Sequence, residues 1–307
     1  MIYLDNAVTT LQKPTRVRTA VERAMLTCAN PGRGGHKPSL GAAHVIYRCR
    51  CQAAEFFGMA EPERVVFTCN ATHALNLAIK SVLHDGGHAV ISGYEHNSVV
   101  RPLSAMKERD VTYTVAFSPL FNAQQAYHNI CAAVQPNTKC IIVTHVSNAF
   151  GFILPLRRLD EFCARRGILL IVDASQSAGV IPIHVSSLTS VAFVCMPGHK
   201  SLYGPQGTGV LLCCKETQLH SLIEGGTGSN SMDTSQPEFL PDLFESGTPN
   251  VPGIAGLAEG IRFVQSKGCQ AISAHARELV HRAACGLSAI QGVEVFAGGE
   301  EQAGVLS

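Results

Sequence analysis

Little in this chain of 307 residues points to a membrane, a polyanion or a metal. No apolar run is long enough to span a bilayer, and the opening "MIYLDNAVTT" carries Asp5 where a secretory signal needs a basic region and an apolar stretch. That start predicts a cytoplasmic protein with no membrane partner. Charge is sparse and balanced, 24 basic against 23 acidic residues, so no global field draws nucleic acid or an anionic surface. A small molecule is therefore the expected substrate. The C-x₂-C spacings of structural metal sites are missing as well. Cys49 and Cys51 fall in a helix-like run and Cys213 and Cys214 in a strand-like one, so both pairs diverge and no metal is expected. The twelve cysteines are scattered, mostly inside apolar runs, and read as reduced core residues rather than disulfides.

What the chain does have is apolar material, 46% of its residues, enough for one large domain or two of ordinary size. Short apolar runs recur: "RVVFTC", "HAVISG", "KCIIVTHV", "ILLIVD", "VAFVC" and "TGVLLCC". Most are continuous rather than alternating, as strands buried on both faces should be, and "THALNLAIKSVL" and "PLRRLDEFCARRG" between them read as amphipathic helices. The fold class is α/β with a mostly parallel sheet flanked by helices. A second region begins near "GTPNVPGIAGLAEG", continues through helix-like runs and closes on "AGVLS", which looks like the first residues of a strand. No internal repeat or low-complexity linker interrupts it.

In open sheets of this class ligands gather at the carboxyl ends of the strands. Those ends read Asn70-Ala71-Thr72, Glu95-His96, Ser147-Asn148, Asp173 with Gln176, and Gly198-His199-Lys200. A lysine after a buried strand is costly unless it is paired or does chemistry, because desolvation lowers its pKa and makes it a nucleophile. The obvious use is a Schiff base with pyridoxal phosphate, whose ring nitrogen seeks an acid such as Asp173, while Ala71-Thr72 offers backbone N–H groups and a hydroxyl to its phosphate. Each residue also has an ordinary reading. Asp173 can cap the following helix, Lys200 can lie solvated in its Gly-rich loop, His96 and His199 can be turn or core histidines, and Asn148 a turn residue. Their convergence at one edge of one sheet favours a site.

The segments "YLDNAVTT", "NPGRGGH", "TCNATHALNLAI", "EHNSVVRPL", "HVSNAFG", "VDASQSAG", "GHKSLYGPQGTG" and "ESGTPNVPGIAGL" resemble those of fold-type I pyridoxal-phosphate enzymes of the class V aminotransferase group, specifically the cysteine desulfurases. The resemblance implies conversion of L-cysteine to L-alanine with the sulfur left as an enzyme-bound persulfide. It implies that Lys200 forms the Schiff base, Asp173 stabilises the protonated pyridine nitrogen and His96 stacks on the ring. Asn148 and Gln176 then lie beside the ring hydroxyl, Ala71, Thr72 and His199 hold the phosphate, and Ala7 lines the substrate side. Thr248 reaches the phosphate in the neighbouring subunit of a homodimer, and a sulfur-acceptor protein is a further implied partner.

The family frame divides the chain into a large cofactor-binding domain, residues 15–250, and a small α+β domain from 1–14 and 251–307. Two positions depart from the usual pattern: Pro197 stands where relatives carry a phosphate-binding hydroxyl, and His73 where a glutamate is common. The resemblance also places the sulfur-accepting cysteine and the arginine that grips the substrate carboxylate after the segment matching "AGVLS". The small domain is accordingly expected to be incomplete, no cysteine is assigned as nucleophile, and the chain as given is expected to release no sulfide or alanine from cysteine. The other chemistries such a site supports are a selenocysteine or cysteine-sulfinate lyase, an aminotransferase, and a cofactor-binding protein without full catalytic machinery.

Overall fold

The computed structural model describes residues 2–32, 34–229 and 232–307, so Arg33 of the "NPGRGGH" segment lies outside the described residues. Two helices, α1 (Thr15–Thr27) and α2 (Lys37–Phe57), lead into alternating strands and helices. These are β1 (Val65–Thr68), α3 (Ala71–Val82), β2 (Gly87–Ser92), α4 (Asn97–Ala105), β3 (Val111–Ala116), α5 (Ala123–Ala132), β4 (Thr138–Thr144), α6 (Leu156–Arg166) and β5 (Leu169–Asp173). Then come β6 (Val191–Pro197), β7 (Gly209–Cys213), α7 (Val251–Lys267) and α8 (Cys269–Ser288).

The seven strands form one sheet in the order β1-β7-β6-β5-β4-β2-β3. Pairings from β6 through β3 are parallel, and β7 runs antiparallel to both β1 and β6. The continuous apolar runs are the central strands, buried along their length because helices cover both faces. Alternate residues serve two cores. Val90, Ile141, Val172 and Val194 face α2, α5, α6 and α7, whereas Ile91, Ile142, Ile171 and Phe193 face α3 and α4.

One expectation changes in the structure. Residues 303–307 form no strand, although Phe152 and Gln302 make an isolated bridge and Ala303 N–H donates to the Gly151 carbonyl at 2.8 Å. With no ladder partner beside them, apolar residues alone do not define a strand.

Two local devices bring the strand ends into position. Asp160 on α6 is buried yet accepts N–H bonds from Thr189, Ser190 and Val191, which fixes the entry into β6 and hence the loop that follows it. Gly198, first after β6, donates to the Thr208 carbonyl at 2.8 Å, and a Cβ there would collide with the Thr208 hydroxyl. The loop 198–208 is thereby closed on itself as it leaves the sheet.

Candidate active site

Lys200 sits in that closed loop, half-buried, and its amine makes no hydrogen bond among the described residues. Burial lowers its pKa from the ordinary lysine value, while the nearby Asp173 charge pulls the other way. Asp173 ends β5 between β4 and β6 and is 2% exposed. Its Oδ1 accepts from Ser175 N–H at 2.9 Å, leaving Oδ2 without a partner among the described residues. The acid therefore holds its turn with one oxygen and offers the other.

The neighbouring strand ends add polar groups of different kinds. At the start of α3, Asn70 caps the helix by accepting from His73 N–H at 2.9 Å, so the N–H groups of Ala71 and Thr72 stay free at the positive end of the helix. Thr72 Oγ1 lies 2.8 Å from Ser98 Oγ, and Ser98 in turn contacts His96 Nδ1 at 2.8 Å. Because His96 Nδ1 also accepts from Ser98 N–H, the proton of the neutral ring resides on Nε2. The His96 ring is exposed, an open face that a second ring can cover. Ser98 thus couples the Thr72 turn to His96, a link that residue types alone do not reveal.

Behind His96, the Glu95 carboxyl is fully buried, with Oε1 accepting from Ser92 Oγ at 2.5 Å and Thr144 N–H at 2.8 Å. Burial pushes its pKa up to about 8 despite those hydrogen bonds, and the Asp173 charge adds to the rise. The group holds its proton more tightly folded than unfolded, so its contribution to stability is present below about 4.5 and is lost as pH rises through about 8. Glu95→Gln, which cannot ionise, should gain on the wild type over that window. Melting temperatures at pH 5 and pH 9 check this; a wild-type-minus-variant gap independent of pH contradicts it.

Gln176 is buried and its Nε2 donates to the Ala7 carbonyl at 2.8 Å, which brings Ala7 to the same edge. His199 contacts Thr9 Oγ1 through Nδ1 at 2.9 Å, and burial, with Lys200 and Lys13 nearby, lowers its pKa. Asn148 is exposed after β4 and makes no side-chain hydrogen bond among the described residues. Thr248 stands apart: it accepts from Asn30 Nδ2 at 3.3 Å and lines a cavity of about 760 Å³ with Cys69, His73 and Thr208, a cavity whose lining excludes Lys200, Asp173 and His96. The sequence did not single out Thr9, Thr10, Lys13 or Ser98, which hold the site residues in place.

This donor set fits pyridoxal phosphate. It provides a half-buried free amine, a buried acid with an open oxygen, an exposed imidazole and a helix N-terminus with free N–H groups. The class V aminotransferase family profile matches residues 2–307. The chain belongs to that family. A probable cysteine desulfurase of Methanothermobacter thermautotrophicus is 30% identical over all of this chain and 77% of the relative. Another, from Mycolicibacterium paratuberculosis, is 31% identical, and the chain spans 46% of its length. The solved apo cysteine desulfurase of Thermococcus onnurineus superposes with a TM-score of 0.91 at 31% identity, over 99% of this chain and 78% of that one. The fold, with its mostly parallel seven-stranded sheet, is thus that of a solved cysteine desulfurase.

The cysteines of this class V chain fall into distinct environments. Burial pushes the Cys49, Cys140, Cys163 and Cys213 thiols up to about 12, so they remain protonated. Cys69 and Cys285 are exposed, and Cys69 lies directly before the Asn70 cap. Among the described residues no three His, Cys, Asp or Glu side chains cluster as metal ligands would, and no helix is long and apolar enough to cross a membrane.

Proposed function

We propose that the chain carries the pyridoxal-phosphate site of a cysteine desulfurase. The observation that carries this reading is Lys200, a half-buried amine with no hydrogen-bond partner among the described residues, opposite the buried Asp173. Ala71, Thr72 and His199 would hold the phosphate, His96 would cover the ring, Asp173 would face its nitrogen, and Asn148 and Gln176 would lie beside its hydroxyl. The bound cofactor supplies an electron sink for charge developing at the substrate α-carbon.

The chain's own part is to hold and move protons. The lowered pKa leaves more of the Lys200 amine neutral near pH 7 than an ordinary lysine would have, so it can take the α-proton of L-cysteine and return it to the α-carbon, while the hydrogen gained by the carbon that loses sulfur comes from the two thiols. Asp173 would offer its open oxygen to the ring nitrogen, where positive charge must be held. The reaction balances as L-cysteine plus a thiol giving L-alanine plus a persulfide: the carbon–sulfur bond breaks, a sulfur–sulfur bond forms, and the carbon gains a hydrogen.

The same reading includes a homodimer in which Thr248 of each chain serves the partner's site, a sulfur-acceptor protein, and a cytoplasmic location. It also includes a large unit of residues 15–250 with 1–14 and 251–307 in a smaller one. The confinement of the whole sheet to residues 65–213 supports that division.

The test titrates L-cysteine into the cofactor-loaded protein, with dithiothreitol as sulfur acceptor, and separates the products. A saturable change in the visible spectrum on adding L-cysteine supports the proposal, with alanine as the carbon product wherever turnover follows. 3-Mercaptopyruvate with loss of the cofactor's aldehyde form identifies an aminotransferase instead, and a spectrum indifferent to L-cysteine contradicts the reading.

A further inference from the structure

Residues 2–14, before α1, contain neither helix nor strand, yet they are tied to the lysine loop at several points. Thr10 N–H donates to the His199 carbonyl at 3.2 Å, Lys13 Nζ donates to the same oxygen at 2.7 Å, and Thr10 Oγ1 donates to the Lys200 carbonyl at 2.8 Å. A carbonyl oxygen has two lone pairs, and Thr10 N–H and Lys13 occupy both. The Thr9 hydroxyl, a longer contact at 3.4 Å from that oxygen, also lies 2.9 Å from His199 Nδ1.

Lys13 is the costly member of this set. It is half-buried, no carboxylate pairs with it among the described residues, and desolvation lowers its pKa to about 8. It also precedes the first residue of α1, where the helix dipole disfavours a cation. The titratable group of the lysine loop that feels its charge is His199, whose pKa it helps to lower. Neither helix stability nor ion pairing among the described residues accounts for a charge in this place; its side-chain hydrogen bond among them is to the peptide bond that enters Lys200.

We propose that Lys13 is a positioning residue for the cofactor lysine: by holding the His199 carbonyl it fixes the peptide unit from which Lys200 projects and the ring of His199 beside it. The inference rests on the reading of Lys200 as the cofactor lysine. A hydrogen bond from an ammonium is about twice as strong as one from a neutral donor. The strap is therefore tight below about pH 8 and loosens as Lys13 loses its proton.

The experiment loads the full chain with pyridoxal phosphate and follows loss of the visible band after dilution into cofactor-free buffer at pH 7 and pH 9. Wild type is compared with Lys13→Met and with Lys13→Arg, whose guanidinium stays charged at both pH values. Lys13→Met should release cofactor about tenfold faster at pH 7, the scale of one charge-assisted hydrogen bond. Wild-type release should accelerate between pH 7 and pH 9 by more than that of Lys13→Arg. Equal release from Lys13→Met and wild type at pH 7, or the same pH 7 to pH 9 ratio in wild type and Lys13→Arg, overturns the proposal. Should Lys13→Met fail to fold, the wild-type and arginine ratios decide alone. If wild type takes up no cofactor at all, the reading of Lys200 falls, and this inference falls with it.

Discussion

Lys200→Ala should slow exchange of the substrate α-proton by at least about 10³-fold, the range associated with loss of a positioned general base. The exchange is followed as deuterium uptake at the α-carbon of L-cysteine or L-alanine in heavy water. This readout isolates the step assigned to Lys200 from whatever thiol takes the sulfur. The lysine amine makes no hydrogen bond among the described residues and burial disfavours its charge, so its removal should leave folding intact or slightly improved. A variant that folds, melts like the wild type and has lost exchange fits the account. Exchange persisting within tenfold of the wild-type rate contradicts it.

Asp173→Asn should be nearly as damaging, because it keeps the shape of the side chain and removes only the charge. The asparagine oxygen can still accept from Ser175 N–H, so the turn after β5 is retained. A buried charge aimed at the reacting group is worth about 10²- to 10³-fold in rate, and a loss of that size is expected in α-proton exchange. A second effect has a defined sign. The Asp173 charge raises the Lys200 pKa against the lowering by burial, so its loss must drop that pKa further. The pH at which cofactor uptake becomes half-maximal should therefore move to lower values in Asp173→Asn. An unchanged or higher midpoint contradicts the electrostatic role.

The central strands, and the polar groups gathered at their ends, were legible because burial on both faces leaves continuous apolar runs, and polar residues begin where each run stops. The elements that escaped notice lack that contrast. β3 is the sheet's edge strand, so "VTYTVA" mixes threonines with apolar residues and Val115 is 55% exposed. α4 carries Pro102 inside nine residues, which masks its helical periodicity. Lys13 and Thr9 act across separations of 186 and 190 residues, from a segment without periodic structure, and no local pattern can announce such contacts. Ser98, in the "EHNSVV" segment, carries no pattern of its own, and only the structure places it between Thr72 and His96.

The most direct measurement of the central claim is reductive trapping. The protein is loaded with pyridoxal phosphate, treated with borohydride, digested and mapped by mass spectrometry. The account predicts the cofactor's added mass on one lysine, Lys200, within the segment "MPGHKSLYGPQGTG". Label on Lys13, the second amine held against the same loop, or on any other lysine in place of Lys200, would contradict it.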